Sequence, residues 1–206
     1  MNAAARDLRP LLLDVGERVF CVLLYTPFAV RFLRPDSIDA SGLLVLISES
    51  LTFGFVLFRR PTRTFSLRPA DWLIALAGTC LPLLLRPSGH ALIPAAVGAI
   101  AMTSGLTFAI WAKLTLRRSF GLAAANRGSV LDGPYRIVRH PIYAGYFVIY
   151  AGFILTNASP LNVAIVACAI ACHVMRAKAE ERVLGQDADY RRLLARVRYR
   201  FLPGVA

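Results

Sequence analysis

An all-α, polytopic membrane bundle of about six helices is the fold that this sequence predicts. Three observations carry the expectation. The chain is 57% hydrophobic with a mean hydropathy of +0.57, too apolar for an ordinary soluble domain of 206 residues. Apolar runs recur along it between short charged segments. The formal net charge is +12, from 24 Lys and Arg against 12 Asp and Glu, and it is unevenly distributed between those runs.

The N-terminal residues, Met1 to Pro10, are polar and carry Arg6 and Arg9. Asp14, Glu17 and Arg18 interrupt the apolar stretch that a secretory signal peptide would need, so none is expected. The first span is predicted near Val19 to Leu33 and the second from Leu43 to Phe58, with Glu49 inside it. A third span is expected near Trp72 to Leu85 and a fourth near Leu92 to Leu116. Several runs are shorter than ~20 residues, so flanks at the level of the lipid headgroups complete them. These four spans make an N-terminal region, residues 1–112, ahead of a C-terminal region, residues 113–206.

In the C-terminal region, Asp132-Gly133-Pro134 is a turn, because glycine is loose and proline lacks the N–H that a helix needs. His140 precedes a proline and is pushed toward extended backbone, and Pro141 suits the first position of a helix running from Ile142 to Thr156. A second apolar helix is expected from Leu161 to Met175. The connecting Asn157-Ala158-Ser159-Pro160 is short, so the two form an antiparallel hairpin with arms of similar length, roughly 25 Å each. His140 and Glu180 then end near the same membrane face. Arg139, His140 and the unpaired N–H groups of the helix start make a corner suited to a carboxylate or phosphate. Glu180 and Glu181 add carboxylates opposite it, and together the two sets suit a zwitterion. An Arg-His pair at a helix foot is also an ordinary headgroup-level marker.

His173, Arg176 and Glu180 are spaced to share one helix face, with Glu181 about 100° away. The plain alternative is an exposed Arg-Glu ion pair of ~0.3–0.5 kcal/mol. Glu49 stands as a functional candidate because a carboxylate within a span is costly, although Ser48 and Ser50 beside it offer a structural cap. Cys168, Cys172 and His173 superficially suggest a metal site, but no fourth ligand is evident. All four cysteines lie in apolar runs as packing residues, so no metal is expected. The positive charge lacks the interleaved aromatic residues of an RNA binder, so membrane lipids rather than nucleic acid are the expected counterpart.

Arginine counting orients the bundle. With both termini in the cytoplasm, the inner segments hold Arg6 and Arg9, then Arg59, Arg60, Arg63 and Arg68. They also hold Lys113, Arg117, Arg118, Arg127, Arg136 and Arg139, and eight further basic residues after Met175. The outer loops hold Arg31, Arg34 and Arg86. Abundant Arg and Ala hint at a GC-rich bacterial source, and hence an inner-membrane protein.

Leu116-Arg117-Arg118-Ser119-Phe120, Gly133-Pro134-Tyr135, Arg139-His140-Pro141-Ile142-Tyr143-Ala144-Gly145 and Glu180-Glu181-Arg182-Val183-Leu184 together resemble the isoprenylcysteine carboxyl methyltransferase and phospholipid methyltransferase superfamily. The resemblance spans roughly residues 113 to 204. It implies an integral membrane enzyme that uses S-adenosylmethionine without a Rossmann domain, and no Gly-x-Gly-x-x-Gly turn is present. It implies cofactor contacts at Ser129, Val130, Tyr135, His140, Pro141, Ile142, Tyr143, Glu180 and Glu181. Arg176 matches the position that addresses the substrate carboxylate in the isoprenylcysteine branch. Arg139 and Arg176 are thus the catalytic candidates, with Arg176 and Glu49 the candidates for binding a lipid-like, membrane-embedded acceptor. The tail from Asp189 to Pro203 fits an amphipathic basic lid, although Gly185-Gln186-Asp187-Ala188 is shorter than the family's spacing. An amine N-methyltransferase and an NADPH-dependent membrane reductase of the sterol-reductase type are the alternatives.

Overall fold

A computed structural model describes residues 8–32, 40–62 and 64–205. The expectations for Arg6, for the loop with Arg34 and for Arg63 lie outside the described residues. In chain order the helices are α1 (Arg9–Phe32), α2 (Ala40–Leu57), α3 (Pro69–Cys80), α4 (Ala95–Leu116), α5 (Pro141–Thr156), α6 (Pro160–Leu184) and α7 (Ala188–Arg196). Single 3-10 turns occupy Leu81–Leu84, Arg117–Ser119 and Gly133–Arg136. No strand occurs among the described residues, and the architecture is all-helical.

Local chemistry explains the helix starts. Proline opens α3, α5 and α6, where its missing N–H costs nothing. Ser159 caps α6 by accepting from the Asn162 N–H at 3.2 Å. Asp187 caps α7 through the N–H groups of Asp189 (2.8 Å) and Tyr190 (3.1 Å).

The bundle is built on the antiparallel pair α4 and α5. A Cβ on Gly105 would stand 2.6 Å from the Gly145 carbonyl oxygen, and one on Gly145 would stand 2.6 Å from that of Gly105. Gly98 and Gly152 meet in the same way one heptad along, so the backbones touch without side chains between them. The other helices flank this pair, α2 packing on α1 and α4, and α3 on α6. Asn162, fully buried, donates to the carbonyls of Arg86 (2.9 Å), Ser88 (3.1 Å) and Asn157 (2.9 Å). It closes the end of the bundle opposite His140.

Two element boundaries differ from the sequence reading. The first helix begins at Arg9 rather than near Val19, and Asp14, Glu17 and Arg18 lie within it. Their charges are matched by residues far along the chain. Arg59 donates to the buried Glu17 and, at 2.6 Å, to Asp14. The Leu122 N–H reaches Glu17 at 2.5 Å, and Arg127 stands 3.5 Å from it. Burial, with the neighbouring Arg59 guanidinium, pulls the Arg127 pKa down to about 10 despite Glu17. The hairpin arms are also unequal, 16 residues in α5 against 25 in α6. Arg176 to Leu184 contains no helix breaker, so α6 continues to Gly185 instead of ending at Met175.

Among the described residues, two helical stretches, Ala95–Ser119 and Pro160–Leu184, are long and apolar enough to cross a membrane. Only 22% and 39% of their apolar windows are buried within the protein, so most of that surface faces outward. Val45–Leu57, Pro69–Leu84 and Pro141–Thr156 are apolar but shorter.

Candidate functional site

Glu180 lies near the end of α6, facing the start of α5. The Tyr143 hydroxyl donates to its Oε1 at 2.5 Å, and His140 Nδ1 stands 3.5 Å from its Oε2. Arg176, one turn earlier on α6, brings Nε to 3.4 Å of Oε1 and lays its guanidinium over the Tyr143 ring at 5.5 Å. Arg176 is itself anchored by donating to the Gly121 carbonyl at 3.2 Å. The sequence-level convergence of His140, Arg176 and Glu180 is therefore present as direct contact.

Glu181 has a different environment from Glu180. Arg200 grips it with two hydrogen bonds, 3.0 and 2.8 Å, while His140 Nε2 lies at 3.2 Å and Arg139 at 3.6 Å. The backbone N–H groups of Arg139 and His140 donate to the carbonyls of Tyr199 and Arg200, both at 3.0 Å. Arg139 also donates to the Val197 carbonyl at 2.7 Å. The C-terminal tail is thus fastened across the mouth of the α5–α6 pair, with Glu181 and Arg139 as its fasteners. His140 is buried, which opposes its charged form, but its hydrogen bonds to Glu180 and Glu181 prevail and raise its pKa above the ordinary 6.5.

Glu180 opens onto a cavity of about 460 Å³. Ser129, Val130, Tyr135, Arg139, His140, Ile142, Tyr143 and Arg176 line it, whereas Pro141 and Glu181 do not. Pro141 is buried at the helix start, where it shapes the turn. Ser129 Oγ, His173 Nδ1 and Tyr190 Oη, all on this lining, are buried without a hydrogen-bond partner. Buried polar atoms are nearly always paired, so three orphans on the lining of one cavity mark a place for a polar ligand. Much of the remaining lining is apolar, including Leu24, Val45, Phe53, Leu83, Leu106 and Ile149.

Glu49 also lines this cavity. The expected cap by Ser50 is absent, since Ser50 pairs with the Tyr25 hydroxyl at 2.7 Å. Glu49 instead faces Lys113, whose Nζ is 3.5 Å away, with Ser48 Oγ at the same distance. Lys113, counted among the cytoplasmic basic residues in the sequence, is fully buried. Its burial was hidden because a lysine ending an apolar run reads as a headgroup anchor. Tyr146 and Tyr150 are further site residues that sequence reasoning missed. Their i+3 and i+7 spacing from Tyr143 was the available signal. Tyr150 bonds His173 Nε2 at 3.1 Å, and His173 stacks on Tyr143 with ring centroids 5.1 Å apart.

A comparison with protein families matches residues 93–187 to the model for phospholipid methyltransferase. No curated protein matches the chain. The matched stretch contains α4, α5, α6 and the Glu180 partners Tyr143, His140 and Arg176. Residues 93–187, a little under half of the chain, are thus similar to the phospholipid methyltransferase family.

Proposed function

We propose that the protein is a multi-pass membrane methyltransferase that takes its methyl group from S-adenosylmethionine and delivers it to a lipid-like acceptor held within the bilayer. The observation that carries this reading is a cavity whose lining joins the Glu180 corner and three orphaned polar atoms to a largely apolar wall. A charged cofactor and a lipidic acceptor need two such environments in contact. When bound, the cofactor supplies a sulfonium-activated methyl group.

The chain's own residues do the rest by positioning and water exclusion. Glu180 offers its carboxylate to the cofactor's ammonium, and Tyr143, His140 and Arg176 fix that carboxylate in place. Ser129, Tyr190 and Tyr135 offer polar contacts at the same end. The apolar wall receives the hydrocarbon part of the acceptor and keeps water from the reacting atoms. Arg139 works through the tail it fastens. In this reading six spans, both termini cytoplasmic, place the Glu180 corner at the inner face, as the arginine distribution favours.

The family match favours methyl transfer over the hydride-transfer alternative. A thermal-unfolding screen in detergent tests the choice. S-adenosylhomocysteine should raise the unfolding temperature and NADPH should not, because only a ligand bound to the folded state stabilises it. Stabilisation by NADPH alone, or by neither, contradicts the proposal.

A further inference from the structure

The cavity contains a second carboxylate–cation pair, set against α5 as the first is. Arg176 lies over the Tyr143 ring at 5.5 Å and faces Glu180, while Lys113 lies over the Tyr146 ring at 5.6 Å and faces Glu49. Tyr143 and Tyr146 are neighbours, their ring centroids 6.5 Å apart. The two pairs thus approach the same stretch of α5 from α6 on one side and from α2 and α4 on the other. Glu49 falls outside the family-matched residues 93–187.

The members of this second pair are unlike in exposure. Lys113 is wholly buried and fixed by Ser48, donating to its Oγ at 2.8 Å and its carbonyl at 3.3 Å. The Glu49 side chain is 42% exposed and lines the cavity, and Lys113 and Ser48 both approach its Oε1. A buried ammonium needs a counter-charge, and Glu49 supplies it. The reverse also holds, because Lys113 and Ser48 keep the Glu49 carboxylate at one place on the wall. A carboxylate only accepts hydrogen bonds, so what it receives must carry a proton. An anionic head placed there would meet the carboxylate first, since Lys113 is shielded behind it.

We infer that Glu49, positioned by Lys113, is the polar anchor for the acceptor's head, and that it selects a head that donates a hydrogen bond over an anionic one. This rests on the methyltransferase reading for the word acceptor, but the binding preference stands without any cofactor. It places the donor and the acceptor on opposite sides of Tyr143 and Tyr146. It also assigns to α2, outside the matched domain, the choice of acceptor.

The test titrates oleylamine, oleyl alcohol and oleate into nanodiscs holding the full chain, with no cofactor present, and reads the unfolding midpoint. In the wild type, oleylamine and oleyl alcohol should stabilise at ~tenfold lower mole fraction than oleate, the scale of a charge-assisted hydrogen bond. Glu49→Gln should erase that preference, and comparing the variants removes any general charge effect of the probes on the bilayer. Lys113→Met should lose the preference and Lys113→Arg should keep it, which a merely structural lysine would not require. If Lys113→Met fails to fold, the isosteric Glu49→Gln decides alone. Oleate equal to oleylamine in the wild type, or an unchanged preference in Glu49→Gln, overturns the inference. A parallel titration with S-adenosylhomocysteine should be unaffected by Glu49→Gln. Its failure in the wild type would count against the cofactor reading and leave the probe comparison standing.

Discussion

Arg200 grips Glu181 with two nearly parallel hydrogen bonds, 3.0 and 2.8 Å, and so joins the last residues of the chain to the end of α6. Adjacent carboxylates on one helix therefore have separate tasks. Glu180 faces the cavity, and Glu181 holds the tail. Glu181→Gln should cost about 1–3 kcal/mol of stability. It should also expose the tail to limited proteolysis near Tyr199, while S-adenosylhomocysteine still binds. Proteolysis and a calorimetric titration on the same sample check both parts.

His140 gives the site a pH dependence of defined sign. Glu180, Glu181, Arg139, Tyr143 and Arg200 are the charged and titratable groups around it. Its folded pKa lies above the ordinary 6.5, so its stabilising contribution is fully present below about pH 6.5 and is lost as the pH rises through the raised value. Thermal unfolding of the wild type and His140→Gln, compared across pH 5 to 9, should show the largest gap at the acid end. A gap that widens toward alkaline pH would contradict the assignment.

The α4–α5 seam offers a contrast between two glycines. A Cβ on Gly145 would meet the Gly105 carbonyl oxygen at 2.6 Å and the Ala109 Cβ at 2.9 Å, whereas one on Gly54 meets nothing within 4 Å. Gly145→Val should therefore cost ~1–3 kcal/mol or more through overpacking. Gly54→Ala, half-buried on α2 but with open space for a Cβ, should gain up to about 1 kcal/mol from helix propensity. Unfolding midpoints in detergent measure both.

Topology is open to chemical labelling. Cysteines placed singly at Arg117 and Arg191, in a chain lacking the native four, should resist a membrane-impermeant thiol reagent in intact cells. Labelling of either from outside would overturn the proposed orientation.

Much of the Glu180 corner was legible because its parts are local. The Gly-Pro turn, the Pro141 start and the short Asn157–Pro160 connection fix where His140 and Glu180 meet. The face shared by His173, Arg176 and Glu180 is plain helical spacing. What could not be read pairs residues across long stretches of chain. Glu17 finds Arg59 and Arg127, and Lys113 finds Glu49, and no local pattern announces either pairing. Asp14, Glu17 and Arg18 looked like the end of polarity before a span, yet buried partners let the helix run through them. Helical spacing turns Glu181 about 100° from Glu180, but its partner was equally hidden, because Arg200 returns from the tail.

The central claim is that the Glu180 carboxylate, held by Tyr143, His140 and Arg176, binds the ammonium of S-adenosylmethionine. The most direct measurement is calorimetric titration of S-adenosylhomocysteine into the wild type, Glu180→Gln and Arg176→Met. Glu180→Gln keeps the shape and removes the charge, and should weaken binding by ~1.5–3 kcal/mol, the scale of a charge-assisted hydrogen bond. Arg176→Met keeps the apolar stem but removes one of the three groups that hold the Glu180 carboxylate, and should weaken binding by a smaller amount than Glu180→Gln. Equal loss in both variants, or full affinity retained in Glu180→Gln, would contradict the account.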